Sequence, residues 1–194
     1  MTSLFDPFFS HFRMHRKKHS SLFSVKEQKA NKMAAIAPQV RVGIGCFVRN
    51  TLLNRQQVLV GVRKGSHGAG RLALPGGHLE LGESWEGCIA RELREEANLD
   101  IENIKFLKAT NDICIDGNPS KHYITIFMQA DISSDSPPLS NNEPHKCEAW
   151  QWMNVQELQQ MSEEDPRSMF EPLLHFFEND GAKTLLVNDN NHLE

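Results

Sequence analysis

Three glutamates in one predicted helix offer the clearest chemistry in this sequence. The stretch from Ser84 to Asn98 is typical of a helix, and Glu92, Glu95 and Glu96 lie three or four positions apart within it. Side chains at these spacings share one edge of a helix. Carboxylates arranged in this way can bind a divalent cation through hard oxygen donors.

A second interpretation of the same glutamates is a solvated helix face. Like charges at these spacings cost an exposed helix only about 0.2–0.5 kcal/mol per pair. In a partly buried cleft, the repulsion between two carboxylates ~5 Å apart reaches about 3 kcal/mol at an effective dielectric of ~20. A divalent cation would then be needed to offset their charge. The turn at Gly76-Gly77 favours the cleft, because a solvated acidic face has no need of a glycine-rich turn beside it.

The helix itself is predicted from its capping residues and its apolar stripe. Ser84 can cap the first turn, and Glu86 suits the positive end of the helix dipole. Ile89, Leu93 and Ala97 recur every four residues and form a stripe opposite the acidic edge. The sequence therefore predicts a helix that packs on other elements and leaves its glutamates toward a cleft.

The segments around this helix alternate between strand and helix patterns. Two strands are predicted at residues 40–50 and 58–64, joined through a polar turn at 54–57, and two more at 102–115 and 122–132, joined through a turn at 116–119. Shorter strands are predicted at 72–74 and 147–155. A loop is predicted at 133–144 and helices at 155–161 and 169–180. This order predicts an α+β fold, an α/β/α sandwich around a mixed β-sheet.

Composition and charge exclude several classes of protein. The chain has 194 residues, 39% hydrophobic and 24% charged, which predicts one folded core. The net charge is −4, but residues 1–32 carry seven bases and two acids, whereas residues 33–194 carry fourteen and twenty-three. An acidic body argues against nucleic-acid binding, and no apolar run reaches the ~18 residues of a membrane span. Four widely spaced cysteines argue against a zinc site or a disulfide framework.

The first 38 residues differ in composition from the remainder, so we predict an N-terminal extension, disordered or targeting, before a domain at residues 39–194. Three interpretations of the basic, Ser-bearing residues 1–32 stay open: a transit peptide, a basic tail, or an extension upstream of an internal start at Met33. We expect a cytoplasmic protein, with targeting to a mitochondrion or plastid as the alternative.

The segment around the glutamates resembles the signature box of the Nudix hydrolases, G-x5-E-x7-R-E-U-x-E-E-x-G-U, where U is aliphatic. Gly77, Glu83 and Arg91 stand at the required spacing, and the match continues to Leu99. One position departs, because Asn98 stands where the family has its last glycine. Asparagine tolerates left-handed backbone angles, so we expect the change to be conservative.

The resemblance implies the Nudix fold, an α/β/α sandwich with a loop-helix-loop catalytic motif, and Mg²⁺-dependent cleavage of phosphoanhydride bonds, with Mn²⁺ as a substitute ion. It implies that Glu83 pairs with Arg91 and holds the loop against the helix. Glu92 would act as general base, a role that varies among the glutamates within the family. The residues that would bind the metal are Gly77, through its carbonyl oxygen, and Glu92, Glu95 and Glu96.

The flanking segments are similar to the nucleotide triphosphate diphosphatase branch, which includes MutT-like and plant cytosolic enzymes that act on 8-oxo-dGTP, dihydroneopterin triphosphate or NADH. Arg63 and His78 would approach the phosphates or sugar of a substrate, although His78 can also be read as a loop histidine. The branch has an aromatic where this chain has Glu171 and a glycine where it has Pro172, which leaves the base preference open. The residues that would border the base are Leu74, Gly76, Thr125, Phe170 and Leu173, of which the last two can also be read as core residues.

Three functions follow as hypotheses. The first is hydrolysis of a nucleoside triphosphate, such as an oxidised or noncanonical purine nucleotide, to the monophosphate and pyrophosphate. The second is cleavage of NADH, another dinucleotide or a nucleotide sugar, or of dihydroneopterin triphosphate. The third is a nucleotide-binding regulatory module without turnover, which loss of box carboxylates would indicate; all of them are present here. The expected partner is a small nucleotide, and the resembling branch predicts a homodimer.

Overall fold

The computed structural model describes residues 39–50, 54–65, 67–114, 121–178, 181, 183 and 185. Seven strands and three α-helices can be followed in these ranges. The strands are β1 Val40–Asn50, β2 Asn54–Arg63, β3 Leu72–Ala73, β4 Gly76–His78, β5 Ile101–Cys114, β6 Lys121–Ile132 and β7 Cys147–Asn154. The helices are α1 Trp85–Ala97, α2 Val155–Glu164 and α3 Glu171–Phe177, with a 3-10 turn at Pro166–Ser168 between α2 and α3.

The strands form one mixed sheet in the order β3-β2-β1-β6-β5, in which β4 also pairs with β1 and β7 with β2. Strands β1 and β6 run parallel, with Gly43 opposite Thr125. Strand β4 runs antiparallel to the same part of β1, with Gly43 opposite His78 and Gly45 opposite Gly76. Strand β1 therefore brings the glycine-rich strand β4 and the middle of β6 to one place.

Alternating side chains of β1 pack against helices on the two faces of the sheet. Ile44 belongs to the core cluster that contains Ile89 and Leu93 of α1. Phe47 belongs to the cluster on the other face, where its ring centroid lies 4.5 Å from that of Phe176 in α3. Two buried apolar faces on one sheet are what a period of two residues produces. The predicted α+β sandwich around a mixed sheet is confirmed.

The predicted elements are present, but several boundaries differ. The predicted turn at residues 54–57 is wrong, because β2 begins at Asn54 and Gln57 pairs with Asn154 of β7. Its polar residues have a partner strand on the sheet, and pairing outweighs their low strand propensity. Helix α3 begins at Glu171 instead of residue 169, because Met169 bridges to Leu72. The predicted turn at 116–119 and the extension at 1–38 lie outside the described residues.

All four cysteines are free thiols, as the spacing predicts. Burial is the main cause that raises the pKa of the Cys88 thiol to about 12, so this thiol stays protonated at neutral pH. None of the helices in the described ranges has both the length and the apolar character needed to cross a membrane.

Candidate active site

Helix α1 is capped at both ends, by the Ser84 side chain at its start and by the backbone N–H of Asn98, which donates to the carbonyl of Leu93, at its end. The Ser84 hydroxyl accepts a hydrogen bond from the backbone N–H of Gly87 at 3.0 Å. At the other end Asn98 adopts left-handed backbone angles, φ 58° and ψ 33°, and its side-chain amide donates to the carbonyl of Pro138 at 3.1 Å. Asn98 thus occupies the conformation that the missing glycine would take, and the end of the helix is kept.

Two carboxylates of α1 meet the glycine pair of β4. The backbone N–H of Gly76 donates to Oε2 of Glu96 at 3.0 Å. The Glu92 side chain is only 12% exposed, and a Cβ built on Gly77 would lie 2.1 Å from its Oε1. Gly76 has φ +146°, and a Cβ there would lie 2.0 Å from the carbonyl oxygen of Ile44. Only glycine fits at Gly76, where a Cβ would meet backbone, whereas a Cβ at Gly77 would displace the carboxylate of Glu92.

The electrostatics at this contact raise the pKa of one of the two acids. The pKa of Glu96 is raised to about 7, mainly by burial and also by the charges of Glu92 and Glu143, while the hydrogen bond from the Gly76 N–H opposes the rise. Two carboxylates held near each other with little exposure repel unless a cation offsets their charge. A divalent cation would supply that charge.

The third glutamate of the motif is more exposed than Glu92. The Glu95 side chain is 56% exposed, and its Oε2 lies 3.4 Å from Nη1 of Arg91. In the ranges that the structure describes, no three His, Cys, Asp or Glu side chains converge into a ready metal shell. The donors present, Glu92 and Glu96 beside the glycine backbone, nevertheless fit Mg²⁺, which prefers oxygen ligands and usually keeps several waters.

Arg91 ties the loop that precedes α1 to the helix. Its Nε and Nη2 lie 2.9 and 3.1 Å from the two carboxylate oxygens of Glu83. Its Nη2 also donates to the carbonyl of His78 at 3.3 Å, and its Nη1 donates to Oε1 of Glu92 at 2.8 Å. The hydrogen bond from Arg91 is the main cause that lowers the pKa of Glu83 to about 2. One guanidinium therefore positions both the loop and the carboxylate of Glu92.

The loop before β7 adds two charged residues that sequence reasoning missed. Backbone N–H of Asn142 and indole Nε1 of Trp150 both donate to the carbonyl of Glu96, at 3.0 and 3.2 Å. These bonds bring Glu143 close to the end of α1, where its carboxylate pairs with Nζ of Lys146 at 2.8 Å. No spacing rule connects this loop with the helix, and the charges in an otherwise polar segment were the only signal in the sequence.

Arg63 and Phe170, two predicted substrate residues, lie together. The Arg63 guanidinium carbon is 4.2 Å from the centroid of the Phe170 ring, and its Nε donates to the carbonyl of His67 at 3.2 Å. Burial lowers the pKa of Arg63, but arginine remains charged at neutral pH. Leu173 is different, because it is 2% exposed and packs in the core. Any contact of Leu173 with a substrate stays a prediction.

Thr125 and Leu74 border space left by two glycines of β1. A Cβ built on Gly43 would lie 3.9 Å from the Thr125 hydroxyl and 3.8 Å from the carbonyl oxygen of Gly77. A Cβ built on Gly45 would lie 3.7 Å from the Leu74 side chain. The structure therefore places Thr125 near the glycine pair that contacts the acids of α1.

His78 lines an open groove. Its Nε2 is 3.1 Å from the hydroxyl of Tyr123, and burial followed by the charge of Arg41 lowers its pKa. A neutral imidazole can therefore donate or accept a hydrogen bond at neutral pH. The groove has a volume of about 630 Å³ and is lined by residues 40–42 and 78–83.

Comparison with known proteins agrees with this geometry. The NUDIX domain model matches residues 39–173. Three similar solved structures are a MutT NUDIX hydrolase from Burkholderia pseudomallei, a NUDIX hydrolase from Nitrosomonas europaea and a MutT protein from Methanosarcina mazei Go1.

The first is 27% identical over 61% of this chain and 85% of its own, with a TM-score of 0.53. The second is 19% identical over 73% of this chain and 88% of its own, with a TM-score of 0.56. The third is 18% identical over 81% of this chain and 99% of its own, also with a TM-score of 0.56. The last two support the fold alone. With its sandwich fold, the acids of α1 packed on a glycine turn, and a family match over most of its length, the chain belongs to the NUDIX family and is a hydrolase of phosphoanhydride bonds.

Proposed function

We propose that the protein is a Mg²⁺-dependent nucleotide diphosphatase that hydrolyses a nucleoside triphosphate to the monophosphate and pyrophosphate. An oxidised or otherwise noncanonical purine nucleotide, such as 8-oxo-dGTP, is the substrate we favour. The single observation that carries the proposal is the Glu92 carboxylate packed against Gly77 beside Glu96. A divalent cation can offset the negative charge of these carboxylates, and a polyphosphate substrate needs the same cation to offset its own charge.

The proposed Mg²⁺ ligands are the carboxylates of Glu92 and Glu96 and the carbonyl oxygen of Gly77. The more exposed Glu95 would be a further ligand. The chemistry that Mg²⁺ supplies in such a site is neutralisation of phosphate charge and a lower pKa for the attacking water. In the proposed step Glu92 takes a proton from the water as the water oxygen attacks an inner phosphorus. The bond from that phosphorus to the leaving pyrophosphate breaks. Arg91 keeps Glu92 in position through its 2.8 Å hydrogen bond.

Substrate recognition is proposed for residues of the strands and loops near the glycine pair. Arg63 holds a positive charge over the ring of Phe170, which suits a phosphate or sugar next to a stacked base. Leu74 and Thr125 border the base beside the side-chain-free backbone of Gly76. His78 offers a neutral imidazole to the sugar or phosphates.

One observation favours a second candidate, a dinucleotide or nucleotide-sugar pyrophosphatase. The groove of about 630 Å³ beside His78 could accept the second half of such a substrate. A panel of 8-oxo-dGTP, ordinary dNTPs, dihydroneopterin triphosphate, NADH and a nucleotide sugar separates the two, with pyrophosphate and AMP as products measured. Glu92→Gln is the matched inactive control. Faster release of AMP from NADH than of pyrophosphate from any triphosphate would overturn the first choice.

We also propose that the protein is a homodimer that works in the cytoplasm and binds neither nucleic acid nor membranes. The acidic composition of residues 33–194 supports the absence of nucleic-acid binding. Light scattering of the full chain tests the dimer, and a mass of one protomer would refute it. Sequencing the N-terminus of the protein isolated from cells tests whether residues 1–32 are cleaved as a targeting segment.

A further inference from the structure

The loop at residues 67–71 folds back onto the end of strand β2. The backbone N–H of Gly70 donates to the carbonyl of Arg63 at 2.9 Å, and the backbone N–H of Arg63 donates to the carbonyl of Arg71 at 2.9 Å. The side chain of Arg63 donates from Nε to the carbonyl of His67 at 3.2 Å. The loop therefore holds Arg63 by both its backbone and its side chain.

The same loop surrounds the ring of Phe170. The guanidinium of Arg63 lies over this ring, and the His67 ring meets it edge-on, with centroids 5.2 Å apart at an angle of 84°. A Cβ built on Gly68 would lie 2.6 Å from Cδ2 of Phe170. The backbone N–H of Phe170 donates to the carbonyl of Leu72 in β3 at 2.9 Å. Phe170 is therefore placed by the loop and by the strand that follows it.

One ion pair joins the loop to the first residue of α3. Nη1 of Arg71 contacts Oε1 of Glu171, and the two side chains are 36% and 35% exposed. The other carboxylate oxygen, Oε2 of Glu171, is buried and accepts no hydrogen bond from the residues that the structure describes. Loss of the cation at Arg71 would leave a partly buried charge uncompensated, which is costly. The pair thus closes a ring of contacts that contains Arg63 and Phe170.

We propose that Arg71 and Glu171 are positioning residues whose ion pair fastens the 67–71 loop to α3 and thereby sets the affinity for the substrate. The inference rests on the proposed function, in which Arg63 and Phe170 contact the nucleotide. A pocket that is assembled before the substrate arrives avoids the entropy cost of ordering a loop during binding. The ion pair therefore lowers KM and leaves kcat unchanged, because the proposed metal ligands belong to α1 and β4.

Charge reversal at Glu171 separates this role from simple attraction of the substrate. Glu171→Arg brings two cations together and should release the loop, so that KM for the best triphosphate rises about tenfold with kcat within about twofold. An effect of charge alone has the opposite sign, because an added cation attracts a polyanionic substrate and lowers KM. The double variant Arg71→Glu with Glu171→Arg restores an ion pair and should return KM to within about threefold of the wild type.

Asp100→Arg is the matched control for charge reversal. Asp100 is the acid of another ion pair, with Arg94, and its side chain is 38% exposed. This pair joins the end of α1 to the residue before β5 and contains no residue of the 67–71 loop. Its KM should therefore stay within about twofold of the wild type.

Hydrogen–deuterium exchange measures the loop independently of turnover. The backbone N–H of position 70 donates to Arg63, and that of position 71 donates to the carbonyl of Gly68 at 3.1 Å. Both amides should exchange faster in Glu171→Arg, by about tenfold, and recover in the double variant. They should keep the wild-type rate in Asp100→Arg.

Two glycine variants test the loop without changing the ion pair, so the test stands if charge reversal prevents folding. Gly68→Ala places a methyl group against the Phe170 ring and should raise KM about tenfold. Gly70→Ala is its control, because the φ values of Gly68 and Gly70 are similar, +70° and +78°. No atom of the described residues lies within 4 Å of a Cβ at Gly70, so its KM should not change.

Three results would overturn the inference and leave the proposed function in place. They are a lower KM in Glu171→Arg, a double variant that does not recover KM, and a wild-type KM in both Glu171→Arg and Gly68→Ala. Failure of the wild-type enzyme to release pyrophosphate from any triphosphate would instead overturn the proposed function, and the inference with it.

Discussion

The Glu92 carboxylate lies so close to Gly77 that a Cβ on the glycine would be 2.1 Å from Oε1 and 2.6 Å from Oε2. No real Cβ is tolerated at such distances, so the position of the acid depends on the missing side chain of the glycine. The contact joins α1 to β4 at the point where the proposed metal and the attacking water would meet. The glycine turn is therefore part of the candidate site and not only a connection between strands.

Gly77→Ala is expected to lower kcat at least about 100-fold, because the added methyl group displaces Glu92 from its place. The measurement is steady-state hydrolysis of the best triphosphate, with circular dichroism to show that the fold is kept. Gly43→Ala is the folding control, because its Cβ would make only ordinary contacts of 3.8 Å or more and the variant should melt near the wild-type temperature. Wild-type turnover in Gly77→Ala would contradict the role assigned to this contact.

Substitution of each of the three glutamates of α1 is expected to reduce kcat by a different amount. Glu92→Gln and Glu96→Gln should each reduce kcat about 100-fold or more, because both side chains lie against the glycine pair. Glu95→Gln should cost less, because this side chain is 56% exposed. Equal losses for all three would show that Glu95 moves into the site during turnover.

The matched control for this series is Glu86→Gln. Glu86 lies in the first turn of the same helix, is exposed, and has no proposed contact with metal or substrate. Its kcat should stay within about twofold of the wild type. A large loss in this control would mean that charge on the helix as a whole, not the placement of single carboxylates, decides the rate.

Mg²⁺ is expected to stabilise the fold by binding to the native state alone. At a concentration about 100 times its Kd the gain is about 2.7 kcal/mol, which corresponds to a rise in Tm of roughly 5–10 °C for a domain of this size. The rise should vanish with excess chelator and be much smaller in Glu96→Gln. Differential scanning fluorimetry with increasing MgCl₂ measures it, and an equal rise in the variant would place the metal elsewhere.

The ion pair of Glu83 with Arg91 predicts a pH-dependent contribution to stability. Because the hydrogen bond from Arg91 lowers the pKa of Glu83 from 4.5 to about 2, the folded state favours the ionised carboxylate. The stabilisation is fully present above pH 4.5 and is lost as the pH falls toward 2. Glu83→Gln should therefore unfold at a lower urea concentration than the wild type at pH 6, and the difference should shrink at pH 3.

Glu102→Gln serves as the control for that series, since Glu102 is exposed on β5. Its urea midpoint should follow the wild type at each pH. A difference between Glu83→Gln and the wild type that stays constant from pH 6 to pH 3 would show that the loop is held by packing and not by the charge of Glu83.

The local features of the site were predictable because they depend on residues close in the chain. Spacing and capping preference predicted α1 with its cap at Ser84, and the signature box led us to expect that Asn98 ends the helix, since capping and helical periodicity act over a few residues. The match of the signature box led us to expect the contact of Glu83 with Arg91, eight positions apart. The polar segment at 54–57 shows the limit of such rules, because its strand depends on a partner about a hundred residues away.

The sequence by itself determined the family and the acidic helix, because the residues of the signature box lie close together in the chain. Only the tertiary structure decided that Glu92 and Glu96 turn toward the glycine pair while Glu95 stays exposed, because exposure depends on where β4 packs against the helix. The same holds for the bond between Asp112 and His175, which are 63 positions apart. No periodicity relates residues so distant in the chain, and only the packing of α3 on the sheet brings them together.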